Sequence, residues 1–385
     1  MSCHQSNDHK TVICIPVYGQ SLALGEEAER ITDFDSLANY AYGRIVTQNL
    51  NHNFGYFDNN DLKLLAKKAI RYQRRSFELS VYKMAEILAD NTGEDTLICI
   101  FPGGQGATAV ANLSKGTRPY QEFMEDIETA YKTATDRGWN FRIPAVCWMQ
   151  GESDIVDYPK TNYKTILKKL WSDMNQDIRQ ITQQTDTIRF ICYQPNPLSR
   201  APYFKANQYI CQEAAVPMAF VDLLSDNDYF WASGPTYPYR WVREIVHIDA
   251  DGQQRIGALA ARSALGLLRN TKRFRGFIPL ETTIEGNDVI VNFNIPSPPI
   301  ALDTLQVRKA QNYGFSVITP QNKNIAKSIS TKGDCVIINC TESPHNCKVR
   351  YAVNGDYMKG GNLHGSRGNL RDSNGNWCYQ FDIKL

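Results

Sequence analysis

Ala145-Val146-Cys147-Trp148-Met149-Gln150-Gly151-Glu152-Ser153-Asp154 passes without a break from apolar side chains to an amide and two carboxylates. A short continuous apolar run marks a strand buried on both faces, and polar groups placed directly after it lie at the edge of the sheet rather than in its core. Working outward from this run, the predicted strand is 143–149, and runs of the same kind occur at 11–17, 96–101, 188–193 and 218–223. Between them the segments 62–88, 121–137, 162–181 and 252–268 repeat Leu, Ile and Ala at three- and four-residue spacing, which predicts helices. The alternation predicts an α/β fold with a parallel sheet covered on both faces.

After residue 269 the pattern changes. Short β-rich runs at 288–294, 335–339 and 348–353 are separated by Pro, Asn, Gly and Ser, which predicts a small all-β domain. The expected organisation is a mobile N-terminus over 1–10, an α/β domain over 11–272 and a β-sandwich-like accessory domain over 273–385. Gly355, Gly360, Gly361, Gly365, Gly368 and Gly375 crowd the last part of the chain and predict turns and an exposed loop there.

The 385 residues carry 42 basic and 40 acidic side chains, a formal charge of +2, which leaves no electrostatic footprint for nucleic acid or an anionic membrane. No apolar stretch approaches the roughly 20 residues that span a bilayer. The first ten residues lack the basic and apolar regions of a secretory signal, so the expected location is cytoplasmic, or exported or virion-associated by another route. Of ten cysteines, Cys14, Cys99, Cys147 and Cys192 sit inside apolar runs and read as buried free thiols. Cys335, Cys340 and Cys347 lack a fourth partner at zinc-ribbon spacing, so no metal is expected.

Ligand sites of open α/β sheets form at the carboxyl ends of the strands, and four such ends carry unusual chemistry. Tyr18-Gly19-Gln20-Ser21 presents a hydroxyl at a tight turn, where the plain alternative is a helix N-cap. Pro102-Gly103-Gly104-Gln105-Gly106-Ala107-Thr108 offers backbone N–H groups to an oxyanion; a phosphate cradle or a flexible turn are the alternatives. Gln150 can donate an amide to the same oxyanion, although acids such as Glu152 and Asp154 also cap helices. Among six histidines, His247 follows Glu244 by three residues, a spacing that lets a carboxylate fix the imidazole tautomer. Together a hydroxyl, oxyanion donors and an acid-paired histidine form an acyl-transfer set.

At these residues the chain resembles the SGNH-hydrolase superfamily, and within it carbohydrate esterases similar to sialate O-acetylesterases and acetyl xylan esterases. Gly19-Gln20-Ser21 is similar to the first block, Gly104-Gln105-Gly106-Ala107-Thr108 to the glycine block, and Trp148 to Asp154 to a Trp-x-Gln-Gly-Glu-x-Asp run. Glu244-Ile245-Val246-His247 resembles an Asp-x-x-His block, with Glu in place of Asp, and Leu22 stands where many members have Asn.

The resemblance covers about residues 11–268 and implies a three-layer α/β/α sandwich of SGNH or flavodoxin-like type without a cofactor. It also implies removal of O-acetyl groups from a carbohydrate. Ser21 is then the nucleophile, His247 the base, Glu244 the orienting acid with Glu152 as its rival, and Ser21, Gly106 and Gln150 the oxyanion donors. Gln20, Trp231 and Trp241 are candidate substrate-binding residues, the tryptophans within an aromatic set that includes Trp148, Tyr203, Phe204, Tyr237 and Tyr239. The expected partner is an acetylated carbohydrate, with no nucleic acid and no membrane. The competing readings are a glycan-binding protein with a silent α/β body, and a general short-chain lipase or thioesterase.

Overall fold

The computed structural model describes residues 9–48, 77–155, 162–196, 214–356 and 359–385, together with the backbone of 63–64, 156–157, 204–205 and 208–209. The expected mobile N-terminus lies, up to residue 8, outside the described residues.

The chain opens with β1 (Thr11–Cys14) and β2 (Val17–Gly19), two parts of one predicted strand. Pro16 interrupts it, because proline has no N–H to give to a ladder. The next described elements are α1 (Phe34–Gly43), β3 (Ile45–Thr47), β4 (Lys63–Leu64) and α2 (Ser80–Asp90). The predicted helix over 62–88 therefore contains a strand at its start and a helix at its end, with 65–76 outside the described residues. Then follow β5 (Thr96–Cys99), β6 (Pro102–Gly104), α3 (Arg118–Thr135), β7 (Asn140–Arg142), β8 (Ala145–Met149), α4 (Glu152–Asp157), α5 (Tyr163–Thr182) and β9 (Arg189–Gln194). A short antiparallel pair, β10 (Phe204–Lys205) and β11 (Gln208–Tyr209), precedes α6 (Ala215–Asp226), β12 (Phe230–Pro235) and α7 (Ala250–Leu268).

All pairings in the two main ladders, β4-β3-β5-β1-β7 and β12-β9-β8-β2-β6, are parallel. Backbone bonds cross the proline breaks, from Ile15 N to Cys99 O (3.0 Å), Val17 N to Phe101 O (3.0 Å) and Cys147 N to Pro16 O (2.9 Å). The two ladders are thus consecutive stretches of one sheet. Helices α1, α2 and α7 pack together, as do α3, α5 and α6, which makes the helical layers of a sandwich around the sheet.

One predicted strand is a helix. Residues 218–223 lie within α6, where Val216, Ala219, Phe220, Leu223 and Leu224 recur at helical spacing and Pro217 sits in the first turn, the one place a helix accepts it without loss. The strand that takes this place in the sheet is β12, beside β9.

The C-terminal region is antiparallel. It comprises β13 (Ile278–Glu285), β14 (Asp288–Asn294), β15 (Ile300–Leu302), β16 (Phe315–Ile318), β17 (Ala326–Lys332), β18 (Cys335–Cys340), β19 (Lys348–Tyr351), α8 (Gly361–His364), β20 (Leu370–Asp372) and β21 (Phe381–Lys384). Sheets β13-β14-β18-β17 and β16-β19-β21 meet where Phe293 of one touches Phe381 of the other, with ring centroids 6.1 Å apart. Alternating burial along β14 and β18 gives each strand one core face.

The glycine-rich tail is not an exposed loop. Residues 365–370 and 376–380 are buried, because its glycines let backbones meet: a Cβ on Gly365 would lie 2.4 Å from the Gly360 carbonyl carbon, and one on Gly368 2.2 Å from the Tyr351 ring. The tail is bonded to the sheet. Gln194 and Gln380 exchange two hydrogen bonds (2.9 and 2.7 Å), and Gly234 N donates to Tyr379 Oη at 2.9 Å.

Helices α2 and α7 approach so closely that a Cβ on Gly257 would stand 2.0 Å from the Ser80 carbonyl oxygen. We expect Gly257→Ala to lower the unfolding free energy by about 1–3 kcal/mol through overpacking. Urea denaturation of the two proteins checks this, and an unchanged midpoint and slope would contradict the close approach.

Candidate active site

The site is built where the chain turns off the carboxyl end of β2. Gly19 is required there, since a Cβ would lie 2.0 Å from the Met149 carbonyl oxygen. Gly104 at the end of β6 takes φ +112°, and its Cβ would lie 1.9 Å from the Gly19 carbonyl oxygen. These two glycines let β6, β2 and β8 close together and bring the loops after them side by side.

Residues 20–28 then wind through successive turns, with Ala23 N on Gln20 O (2.8 Å), Glu26 N on Ser21 O (2.9 Å) and Ala28 N on Gly25 O (2.9 Å). Gly25 (φ +68°) and Glu27 (φ +63°) are both left-handed. The winding returns Glu27 to the neighbourhood of Ser21. On the other side, the loop after β12 is closed by Val242 N to His247 O (2.7 Å) and Asp249 N to Arg240 O (3.0 Å). Asp249 caps α7 through Gly252 N (2.9 Å), and Gln253 of that helix donates to Leu22 O at 3.0 Å, tying the two loops together.

His247 Nε2 lies 2.8 Å from Ser21 Oγ, and His247 Nδ1 lies 2.8 Å from Glu27 Oε2. Arg243 forms an ion pair with the other oxygen of Glu27. Burial holds His247 below the ordinary imidazole value; Glu26 opposes this and the Arg243 guanidinium reinforces it. With one Glu27 oxygen committed to Arg243, the pull of that carboxylate toward an imidazolium is weakened. The histidine is accordingly neutral near pH 7, with a lone pair available at Nε2 when Nδ1–H donates to Glu27.

Three expectations about the acid and the oxyanion donors are corrected. Glu244 does not reach His247: its Oε1 accepts from His364 Nδ1 at 2.9 Å and its Oε2 pairs with Lys359 Nζ at 3.1 Å. The reason is local, because Arg243 (φ 53°) and Glu244 (φ 57°) are both left-handed and the chain reverses between the acid and the histidine. Glu152 is buried against Tyr193, whose hydroxyl contacts both its oxygens at 2.7 and 2.6 Å. Gln150 is also buried and committed, since Nε2 donates to Thr108 O (3.0 Å) and Asp154 Oδ2 (2.6 Å) while Oε1 accepts from Tyr163 (2.9 Å). It braces the loop after β6 and has no amide hydrogen left for a ligand.

Gly106 does come to Ser21, its Cβ position being 3.8 Å from Ser21 Cβ. Among the described residues, no partner takes the backbone N–H of Ser21 or of Gly106.

The substrate-binding candidates are core residues. Gln20 is buried and accepts from Ser153 N (3.3 Å) and Gly151 N (3.5 Å), bracing the start of α4. Trp231 donates to Asp228 O (3.2 Å) and Trp241 to Thr236 O (3.2 Å), both with their rings buried, as are Trp148, Tyr237 and Tyr239. Tyr203 and the side chain of Phe204 lie outside the described residues. Among the described residues no group of three or more His, Cys, Asp or Glu is gathered as a metal site, and no helix is long and apolar enough to cross a membrane.

Glu27 is the residue that sequence reasoning missed. Its only signal was an acidic pair, Glu26-Glu27, in the same loop as Ser21.

Burial pushes Glu152 up to about 7, against the hydrogen bond from Tyr193. Because the folded value lies above the usual carboxylate value of 4.5, folding binds a proton here, and this stabilisation is full below pH 4.5 and lost as pH rises through about 7. We expect Glu152→Gln to flatten the decline in stability over that window. Urea midpoints from pH 4.5 to 8 measure it; parallel curves for both proteins would sink the assignment.

Residues 74–225 match the model of a family described as carbohydrate esterase, sialic acid-specific acetylesterase. The stretch contains the glycine block and the Trp148 to Asp154 block, while Ser21 and His247 flank it. Among solved structures, a carbohydrate acetylesterase from Xanthomonas citri is 14% identical over 96% of this chain and 80% of that chain, with a TM-score of 0.64. A protein from Arabidopsis thaliana is 14% identical over 68% of this chain and 100% of its own, with a TM-score of 0.46. A carbohydrate acetylesterase from Sinorhizobium meliloti is 14% identical over 67% and 99%, with a TM-score of 0.33. Comparison with curated proteins gives no match. Both sequence blocks lie inside the matched stretch, and the fold is shared with the Xanthomonas citri structure across nearly the whole chain, so in its central segment and in its fold the protein is similar to carbohydrate esterases.

Proposed function

We propose that the protein removes O-acetyl groups from a carbohydrate through an acyl-enzyme formed on Ser21, with His247 as general base and Glu27 as orienting acid. The observation that carries this reading is the unbroken line from Ser21 Oγ to His247 Nε2 (2.8 Å) and from His247 Nδ1 to Glu27 Oε2 (2.8 Å). The family match supports the carbohydrate ester, and acetyl is the acyl group named in its description.

In the first step the Ser21 Oγ–carbon bond forms as the Ser21 proton passes to His247 Nε2. The tetrahedral oxyanion is held by the Ser21 and Gly106 N–H groups. Collapse breaks the carbon–oxygen bond to the sugar, whose oxygen takes the proton from His247. Water then attacks the acyl carbon with His247 again as base, acetate leaves, and Ser21 Oγ recovers its proton. Glu27 stays ionised and stabilises the imidazolium formed in each step.

Release of acetate from p-nitrophenyl acetate and from a panel of acetylated glycans tests the reading. Ser21→Ala and His247→Ala should each lower kcat by about 10⁴-fold or more, with folding retained. Glu27→Gln should cost more than either Glu244→Gln or Glu152→Gln, by about tenfold or more. A larger loss at Glu152 or Glu244 would transfer the orienting role to that residue, and absence of hydrolysis by the folded protein would end the esterase reading.

The pH dependence has a defined sign. His247 must be neutral to accept the serine proton, so kcat/KM falls as pH drops through its value, which lies below the ordinary 6.5. Arg243→Ala removes a cation that disfavours the imidazolium, and the acidic limb should move to higher pH. A limb that stays put or moves down would contradict this electrostatic account.

A further inference from the structure

The loop that carries His247 is held from outside the α/β body. Residues 359–364 of the β-rich region lie along it: Gly360 N donates to the Glu244 carbonyl (2.7 Å), and Asn362 N donates to Tyr239 O (3.1 Å). His364 Nδ1 and Lys359 Nζ hold the two oxygens of Glu244 at 2.9 and 3.1 Å. Glycine is needed twice on this face, because a Cβ on Gly360 or Gly361 would stand 2.3 or 2.8 Å from the Trp241 ring. Trp241 in turn bridges to Ile248, next to the histidine.

The gripping residues are themselves fixed in the β-rich region. Arg308 Nη1 donates to His364 Nε2 at 2.5 Å, so Nε2 is the acceptor and Nδ1 carries the hydrogen given to Glu244. Arg308 N is bonded to Asn362 O (3.0 Å), and Arg367 Nε to Arg308 O (3.0 Å).

What the grip holds is a backbone that does not favour its own conformation. Two successive left-handed residues with side chains, Arg243 and Glu244, each lose of order 1 kcal/mol against an ordinary turn and persist only where the surroundings determine them. Arg243 is one end of the ion pair on Glu27, and Glu27 is the partner of His247. A turn that relaxes at Glu244 therefore releases Arg243 and changes both the position and the charge balance of the general base.

We infer that His364 and Lys359 of the β-rich region are positioning residues for the esterase centre, acting through Glu244 on the strained turn that aims Arg243 and His247. The inference rests on the acyl-transfer reading above. It assigns the β-rich region a part in the chemistry without any contact between that region and the acyl group.

The test compares His364→Ala with His364→Asn, since asparagine can place an amide hydrogen where Nδ1–H stood. His364→Ala should lower kcat about tenfold with KM changed less than about twofold, and His364→Asn should restore most of the rate. The His247 titration, followed by NMR in the full chain, adds a readout that needs no substrate. The charged groups around His247 are Glu26, Glu27 and Arg243, so loosening Arg243 leaves the carboxylates less opposed and the His247 midpoint should rise in His364→Ala. If His364→Ala does not fold, Lys359→Met on the half-exposed side of the grip should give a smaller shift of the same sign. Wild-type kcat and an unmoved His247 midpoint in a folded variant would overturn the inference, as would equal losses in the Ala and Asn variants. Failure of the wild type to hydrolyse any ester ends the esterase reading instead, while the midpoint still decides whether the β-rich region controls His247.

Discussion

The contact between Ser21 and His247 joins loops that are 226 residues apart in sequence. Nothing local can hold such a bond; it depends on the sheet placing the ends of β2 and β12 on one edge and on each loop leaving its strand in the right direction. Several buried polar bonds serve that purpose. Gln253 to Leu22 O links the two loops, Gln20 joins the turn that carries Ser21 to the start of α4, and Gln150 joins α4 to the loop after β6. Each is a glutamine whose long amide satisfies backbone groups at the strand ends, where the ladder no longer can.

This explains why the polar block after β8 suggests chemistry and turns out to be scaffolding. Buried near Ser21, Gln150, Glu152 and Asp154 have every attribute of catalytic groups except a free face. Their partners, Thr108, Tyr163, Tyr193 and Val110 N, are all protein groups. Their work is to set the shape of the loop that brings Gly106 to Ser21. The buried tryptophans carry a similar lesson, since an aromatic ring next to a strand end more often completes the core than meets a ligand.

The layered α/β body was legible because continuous apolar runs and helical repeats report burial directly, and four of the five predicted strands fall in the sheet. The exception, 218–223, was a helix whose Pro217 sits in the first turn, where proline does not break the pattern. Ser21, Gly106 and His247 were legible because strand ends confine them to one edge. Glu27 was not, since its approach depends on left-handed residues at 25 and 27, and backbone handedness leaves no trace in residue spacing. Glu244 misled for the same reason: a three-residue interval from His247 suggests contact only if the turn between them runs in the ordinary right-handed sense.

The bonds from Gln380 to Gln194 and from Tyr379 to Gly234 also bear on the order in which the protein can be completed during synthesis. The Gln194 amide at the end of β9 and the Gly234 N–H of β12 wait for partners made roughly 150 positions or more later, so a nascent chain that has emerged past α7 still lacks them. A ribosome-bound chain halted between α7 and β21 would therefore leave the Gly234 N–H and the Gln194 amide without these partners until the last strand is made.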